Sequence, residues 1–228
     1  MRWMIVGWLA LLAVPALAAP PVPDTLAQRI KACTSCHGEH GEGGANGYNP
    51  RIAGKPALYL YRQLLNFRDG RRHYPLMEHM VARLDDAYLR EIAEYFAAQV
   101  PPHPAHAVVA LTPAQRQRGE ALVRHGDAAR KLPPCQACHG ERLTGVAPAV
   151  PALVGLMPDY ISAQLGAWRS HTRGAPAPDC MATIAARLDK SDIAAIAGWL
   201  ASQPLPADMT PAATPTEPPP LECGSIGP

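Results

Sequence analysis

Apolar residues recur at helical spacing in several stretches of the chain, and the stretches come in related pairs. Leu58, Tyr61 and Leu65 mark a helix over 57–67, and the corresponding pattern over 160–168 marks its counterpart. Leu89, Ile92, Ala93 and Phe96 line one face of a helix that begins at Asp85 or Asp86 and runs to Ala98. Ile193, Ile196, Ala197 and Leu200 repeat that face over 190–201. Thr112 followed by Pro113 is a capped start with proline at the first helical position, and this helix extends to about His125. A shorter helix is predicted over 25–32. No segment alternates apolar and polar residues well enough to read as a strand, so the chain is all-α.

Between the helices, residues 38–54 and 140–155 are rich in glycine and proline and read as loops able to wrap a flat ligand. Pro101 to Leu111 contains three prolines and is predicted to be an extended linker between two halves, 24–100 and 112–203. Residues 204–228 are dominated by Pro, Ala and Thr and are expected to be disordered or laid over the surface. The halves match in order and spacing. Pro50-Arg51-Ile52-Ala53-Gly54 answers Pro151-Ala152-Leu153-Val154-Gly155, Tyr59 answers Tyr160, and Gln63-Leu64 answers Gln164-Leu165. Met77 and Met181 each stand seven residues before a leucine, Leu84 and Leu188. This is an internal duplication.

Each half carries Cys-x-x-Cys-His, as Cys33-Thr34-Ser35-Cys36-His37 and Cys135-Gln136-Ala137-Cys138-His139. Two thiols at this spacing add to the two vinyl groups on one edge of a porphyrin. The next residue then turns its imidazole onto the iron. A lone Cys-x-x-Cys also serves redox dithiols and zinc sites. The adjacent histidine and the repetition of the whole unit favour two covalently bound haem c groups. Cys33, Cys36, Cys135 and Cys138 are then the attachment points, with His37 and His139 as proximal ligands.

Met77 and Met181 occupy equivalent positions and are the predicted distal ligands. A thioether is a weak neutral donor that raises the potential relative to a second histidine. Met80 has no counterpart in the second half and reads as packing. His73, His79 and His171 also lack matching partners, which argues against bis-histidine sites. The proline-glycine loops at Pro50 and Pro151 are suited to present a backbone carbonyl to each imidazole N–H. Tyr59 and Tyr160 are either core aromatics with a polar tip or donors to a propionate or to the other half. Arg68, Arg71 and Arg72 form either a solvated face or a patch that pairs with propionates or a partner. Cys180 and Cys223 stand outside the motifs. They form a disulfide that ties the tail back, or remain free, or Cys180 approaches the second iron as a thiolate.

Residues 1–18 combine Arg2, an apolar core from Met4 to Val14 and Ala16-Leu17-Ala18, the pattern of a cleaved signal peptide. The apolar run is short for a transmembrane span. Export to the periplasm agrees with haem attachment outside the cytoplasm. Roughly 210 residues then remain, enough for two small domains. Aromatic content is only 6%, so haem is expected to supply much of each core and the apoprotein to be unfolded or molten. The formal charge of +2 is balanced along the chain and shows no basic field for nucleic acid.

With these features in place, residues 25–203 resemble the cytochrome c4 family. The marks of the resemblance are the paired Cys-x-x-Cys-His-Gly motifs, Pro-x-Ile/Leu-x-Gly, Tyr-x-x-x-Gln-Leu, Phe67-Arg68-Asp69-Gly70-Arg71 and the Met-to-Leu segments. The resemblance implies two tandem class I cytochrome c domains related by pseudo-twofold symmetry. It also implies ligand pairs His37/Met77 and His139/Met181, with propionate edges facing each other. A carrier of this kind relays electrons from a quinol-oxidising complex or a dehydrogenase to a terminal oxidase or another acceptor. Its partners are redox proteins in the periplasm or at the membrane surface. Two alternatives are a cytochrome subunit of a periplasmic dehydrogenase and a dihaem enzyme acting on sulfur compounds or peroxide. The sequence departs from the family pattern at Leu156-Met157, at Trp168-Arg169-Ser170-His171 and in its cysteine-bearing proline-rich tail.

Overall fold

The computed structural model describes residues 21–44, 47–103 and 109–227. The signal-peptide segment and the middle of the linker lie outside the described residues. Helices α1 (Leu26–Arg29), α2 (Lys31–His37), α3 (Ala57–Arg68), α4 (Pro75–Val81) and α5 (Asp86–Ala97) make the first half. Helices α6 (Pro113–Arg124), α7 (Gln136–His139), α8 (Pro158–Arg169), α9 (Cys180–Ala186) and α10 (Lys190–Ala201) make the second. Among the described residues the only β-type pairings are isolated bridges, so the all-α reading holds.

The caps follow the local chemistry. The Asp85 carboxylate accepts from Tyr88 N at the start of α5. Thr112 with Gln115 opens α6, and Asp189 with Asp192 opens α10, both as reciprocal capping boxes. The predicted helix over 25–32 divides at Ile30, which ends α1 and begins α2. The second helix runs through the cysteine motif instead of stopping before it. Two short helices, α4 and α9, were not legible from the sequence. Pro75 starts α4 at its first turn, and the Asp179 side chain caps α9 by accepting from Ala182 N.

Each half has its own apolar core. In the first, α3 packs on α5 around Leu60, Phe67, Leu89, Ile92 and Phe96. In the second, α10 packs on α6 and α8 around Leu122, Leu165, Ile196, Trp199 and Leu200. Arg118 and Arg130 donate to the two Asp192 oxygens at 2.9 and 2.6 Å, which joins the start of α10 to α6 and to the 3-10 turn Ala128–Arg130.

The proline-rich tail takes the second of its predicted forms and lies over the second half. The Arg142 guanidinium donates to the carbonyls of Asp208 and Thr210, and Ala212 pairs with Gly145 and Ala147. Cys180 and Cys223 form a disulfide with a Cα–Cα distance of 5.0 Å, closing a sequence separation of 43. Restricting a loop of that length in the unfolded chain stabilises the fold by about 4 kcal/mol in the chain-entropy picture.

Candidate haem sites and the interface between them

The first motif lies on α2, where Cys33 and Cys36 are three residues apart and share one helical face. In the second, Cys135 is the N-cap of α7, and Cys138 and His139 follow on that helix. None of the four cysteines is paired in a disulfide. Burial pushes the Cys135 thiol up to about 12, while Cys36 is exposed, so the first attachment edge is the more open one.

Below each motif the loop doubles back. Gly43 N donates to His37 O at 2.7 Å, and Gly145 N donates to His139 O at 3.0 Å. Both glycines have positive φ, and a Cβ on either would lie 2.5 Å from backbone of the returning loop, Arg51 N or Val150 O. The close approach brings a proline carbonyl against each ring. The distances are 2.8 Å from His37 Nδ1 to Pro50 O and 2.8 Å from His139 Nδ1 to Pro151 O. The carbonyl belongs to the proline itself. Since it can only accept, Nδ1 carries the proton and Nε2 presents its lone pair. Burial holds both imidazoles below their ordinary pKa, with Pro50 and Pro151 opposing the shift. Arg72 lowers His37 further and Lys55 lowers His139 further. Both rings are therefore held neutral, the form that binds a metal.

Met181 packs against the second core, and it lines one cavity together with Cys135, Cys138, His139, Pro151 and Leu153. Met77 packs against the first core from α4, and Met80 packs there too. His73 is exposed and sits 3.3 Å from Glu78. His79 and His171 are also exposed.

The two halves meet through a symmetric polar cluster. His73 N donates to Thr172 O at 2.7 Å, and Gly174 N donates to Arg71 O at 2.6 Å. Between them Arg72 donates to Gln63 and Gln164, and Arg173 donates to the same two glutamines, at 2.6–3.0 Å. Arg173 also reaches the Tyr59 hydroxyl at 3.3 Å, and Arg72 lies close enough to Tyr160 to lower its pKa. Each arginine thus serves the tyrosine of the opposite half, which resolves the two readings of Tyr59 and Tyr160 in favour of contact across the interface. Burial alone would raise Tyr160. The field of Arg72, Arg173 and Lys55 outweighs it and brings the phenol down to about 8.

Of the three arginines singled out by sequence, Arg68 pairs with Asp69 and Asp86, and Arg71 pairs with Asp69. Only Arg72 turns into the interface. The sequence reading missed Arg173 and Lys55. Arg173 was detectable, because it holds the same repeat register after Gln164 as Arg72 holds after Gln63. Lys55 gave no such signal, since its counterpart is Leu156.

These residues fit a haem c in each half. Each half offers two thiols and a neutral imidazole, and in the second half Met181 lines the same cavity as Cys135, Cys138 and His139. Buried cations Lys55 and Arg173 stand beside the second cavity with tyrosines and glutamines as neighbours and no carboxylate among their hydrogen-bond partners. That is the environment haem propionates complete.

Comparison with known proteins agrees. The family model for cytochrome c matches residues 25–118 and again 117–204. A thiosulfate dehydrogenase electron acceptor from Thiomonas intermedia is 38% identical over 70% of this chain and 72% of its own length. A cytochrome c4 from Pseudomonas aeruginosa is 35% identical over 66% of this chain and 74% of its own. Among solved structures, reduced cytochrome c4 from Pseudomonas stutzeri superposes with TM-score 0.65 at 29% identity, covering 77% of this chain and 95% of that one. Thiosulfate dehydrogenase from Marichromatium purpuratum superposes with TM-score 0.69 at 33% identity over 79% of this chain, which spans only 39% of that larger chain.

Proposed function

The chain belongs to the cytochrome c family as a dihaem, cytochrome c4-like electron-transfer protein, and from that premise we propose that it is the electron acceptor of a periplasmic dehydrogenase acting on thiosulfate. Cys33 and Cys36 hold the first haem and Cys135 and Cys138 the second, with ligand pairs His37/Met77 and His139/Met181. The haems supply one-electron redox chemistry when bound, and the residues of this chain do the rest. Pro50 and Pro151 fix the imidazoles, the apolar cores exclude water, and the interface arginines would neutralise propionates. With a histidine and a methionine as ligands, each iron would be closed to substrate, and this chain's residues would hold and shield two one-electron centres.

The observation that carries the relay is the hydrogen-bonded cluster of Arg72, Arg173, Gln63 and Gln164. It joins the two halves through one hydrogen-bonded polar seam beside the cation-lined second cavity. Such a seam would restrain movement of one half against the other and so keep reorganisation small. The likeness to the Thiomonas intermedia electron acceptor favours thiosulfate oxidation as the source of electrons. While the disulfide is closed, the Cys180 sulfur is bonded to Cys223 and offers no thiolate to the iron. A catalytic centre for sulfur compounds built on Cys180 loses its nucleophile, which favours a carrier.

Mixing the oxidised protein with a thiosulfate dehydrogenase and thiosulfate in a stopped-flow spectrometer tests the assignment. Both haems become reduced, and omission of either component leaves them ferric. If a quinol-oxidising complex reduces the protein and the dehydrogenase does not, the donor is the other one the sequence suggested.

A further inference from the structure

Residues 205–227 lie beyond both stretches matched by the cytochrome c family, yet their end is built into the second haem cavity. Leu221, Cys223, Ser225 and Ile226 line that cavity together with His139 and Met181. Cys223 is bonded to Cys180, the residue immediately before Met181. Gly224 N donates to Pro178 O at 2.9 Å, on the segment that leads into α9. A Cβ on Gly224 would lie 2.3 Å from Ala177 O, so the tail is pressed against that segment. The strap also reaches the other half, where the Arg62 guanidinium on α3 donates to the carbonyls of Ser225 and Gly227.

We propose that Cys180–Cys223 is a thiol–disulfide exchange site and that its bond latches the strap over the Met181 side of the second haem. The proposal rests on Met181 as that haem's ligand. Upstream the strap is tied at Ala212, and from 213 to 218 it runs exposed. Beyond Cys223 the strap is held by a few hydrogen bonds and by Ser225 and Ile226 at the cavity mouth. Without the covalent tie, they do not repay the entropy of ordering the whole 213–227 segment. Both cysteines are partly accessible, and Glu222 beside Cys223 is exposed, so a reductant can approach from solvent.

The exchange balances with a dithiol as reductant. One thiolate of the dithiol attacks Cys223 Sγ, and Cys180 leaves as a thiolate and takes a proton. The second thiol of the reductant then attacks the mixed disulfide and releases Cys223 as a thiol. The net change is two protein thiols gained and one disulfide formed on the reductant. The strap then swings away, water gains access to the Met181 side of the cavity, and Met181 loses the tether on its neighbour.

The test uses the full-length holoprotein as wild type, as Cys223→Ser, and as wild type reduced by dithiothreitol and alkylated. The readouts are hydrogen–deuterium exchange of the tail around Gly224, whose N–H donates to Pro178 O, and carbon monoxide binding after haem reduction by ascorbate, which spares disulfides. The expected result is a protected tail and no carbon monoxide binding in the oxidised wild type. The other two samples lose tail protection and bind carbon monoxide at one haem of the two. Tail protection and carbon monoxide inertness that persist in Cys223→Ser overturn the latch, and so does tail release without carbon monoxide binding. Carbon monoxide binding by the disulfide-intact wild type instead defeats Met181 ligation, the assignment beneath it.

Discussion

Replacing Gly119 by alanine sets two rules of helix physics against each other. Gly119 lies inside α6, and on propensity alone an alanine there stabilises a helix by about 1 kcal/mol. The packing says otherwise. A Cβ at Gly119 would lie 2.3 Å from Ala195 O and 2.6 Å from Trp199 Cβ, both on α10. The obstructing oxygen belongs to helix backbone and cannot rotate aside, so the two helices must separate by roughly 1 Å to restore ordinary contact. That opens the seam around Leu122, Val123 and Leu200, which are buried to within 1%. Overpacking against backbone costs about 3 kcal/mol, the upper end of its range. Subtracting the propensity gain leaves a net loss of about 2 kcal/mol, a fall in melting midpoint of about 8–16 °C for a domain of this size. Gly166 is the control. It also lies inside a helix, α8, but a Cβ there meets nothing within 4 Å, so Gly166→Ala raises stability by about 1 kcal/mol. Thermal melts of the two holoprotein variants by circular dichroism decide the matter. Equal shifts of the same sign would show that the close approach of α6 and α10 does not govern the second half.

Other perturbations address the sites and the charges. Met77→Ala and Met181→Ala each lower the potential of the affected haem and open it to cyanide or carbon monoxide; unchanged spectra and ligand binding in both variants defeat the ligand assignment. Asp192 is buried, yet its carboxyl is held below its ordinary pKa, since hydrogen bonds from Arg130 and Arg118 overcome the upward push of burial. Its contribution is therefore complete above the unfolded carboxylate value near 3.9 and is lost as pH falls through the lower folded value. Asp192→Ala costs about 3 kcal/mol at neutral pH, taken at the low end because both arginines are partly solvated, and the variant's denaturant midpoint loses part of its dependence on acid. Lys55→Leu, which restores the residue type of the second half, lowers the second haem's potential more than the first's in a spectroelectrochemical titration; equal shifts would place the Lys55 charge elsewhere.

Covalent attachment and the duplication were written in the sequence because both are local. Cys-x-x-Cys-His needs only one turn of chain to define its chemistry, and the repeat shows itself in spacing alone. The long helices were legible for the same reason: α10 has the predicted bounds, and Thr112 with Pro113 marks the start of α6. The short helices α4 and α9 carry the two methionines but span two turns each, too few to show a period. What no spacing revealed was the meeting of residues from different halves. Arg72 left both a solvated face and a pairing patch open along the chain, and with Arg173 it becomes the centre of the interface only when the Gln63 and Gln164 helices are brought side by side. Lys55 is buried by the half to which it does not belong. Cys180 kept three readings open until folding placed Cys223 beside it across 43 residues. Local chemistry fixes which groups the chain can bind. The cost of closing long loops and burying charge is settled only in three dimensions, and there the partners of those groups are chosen.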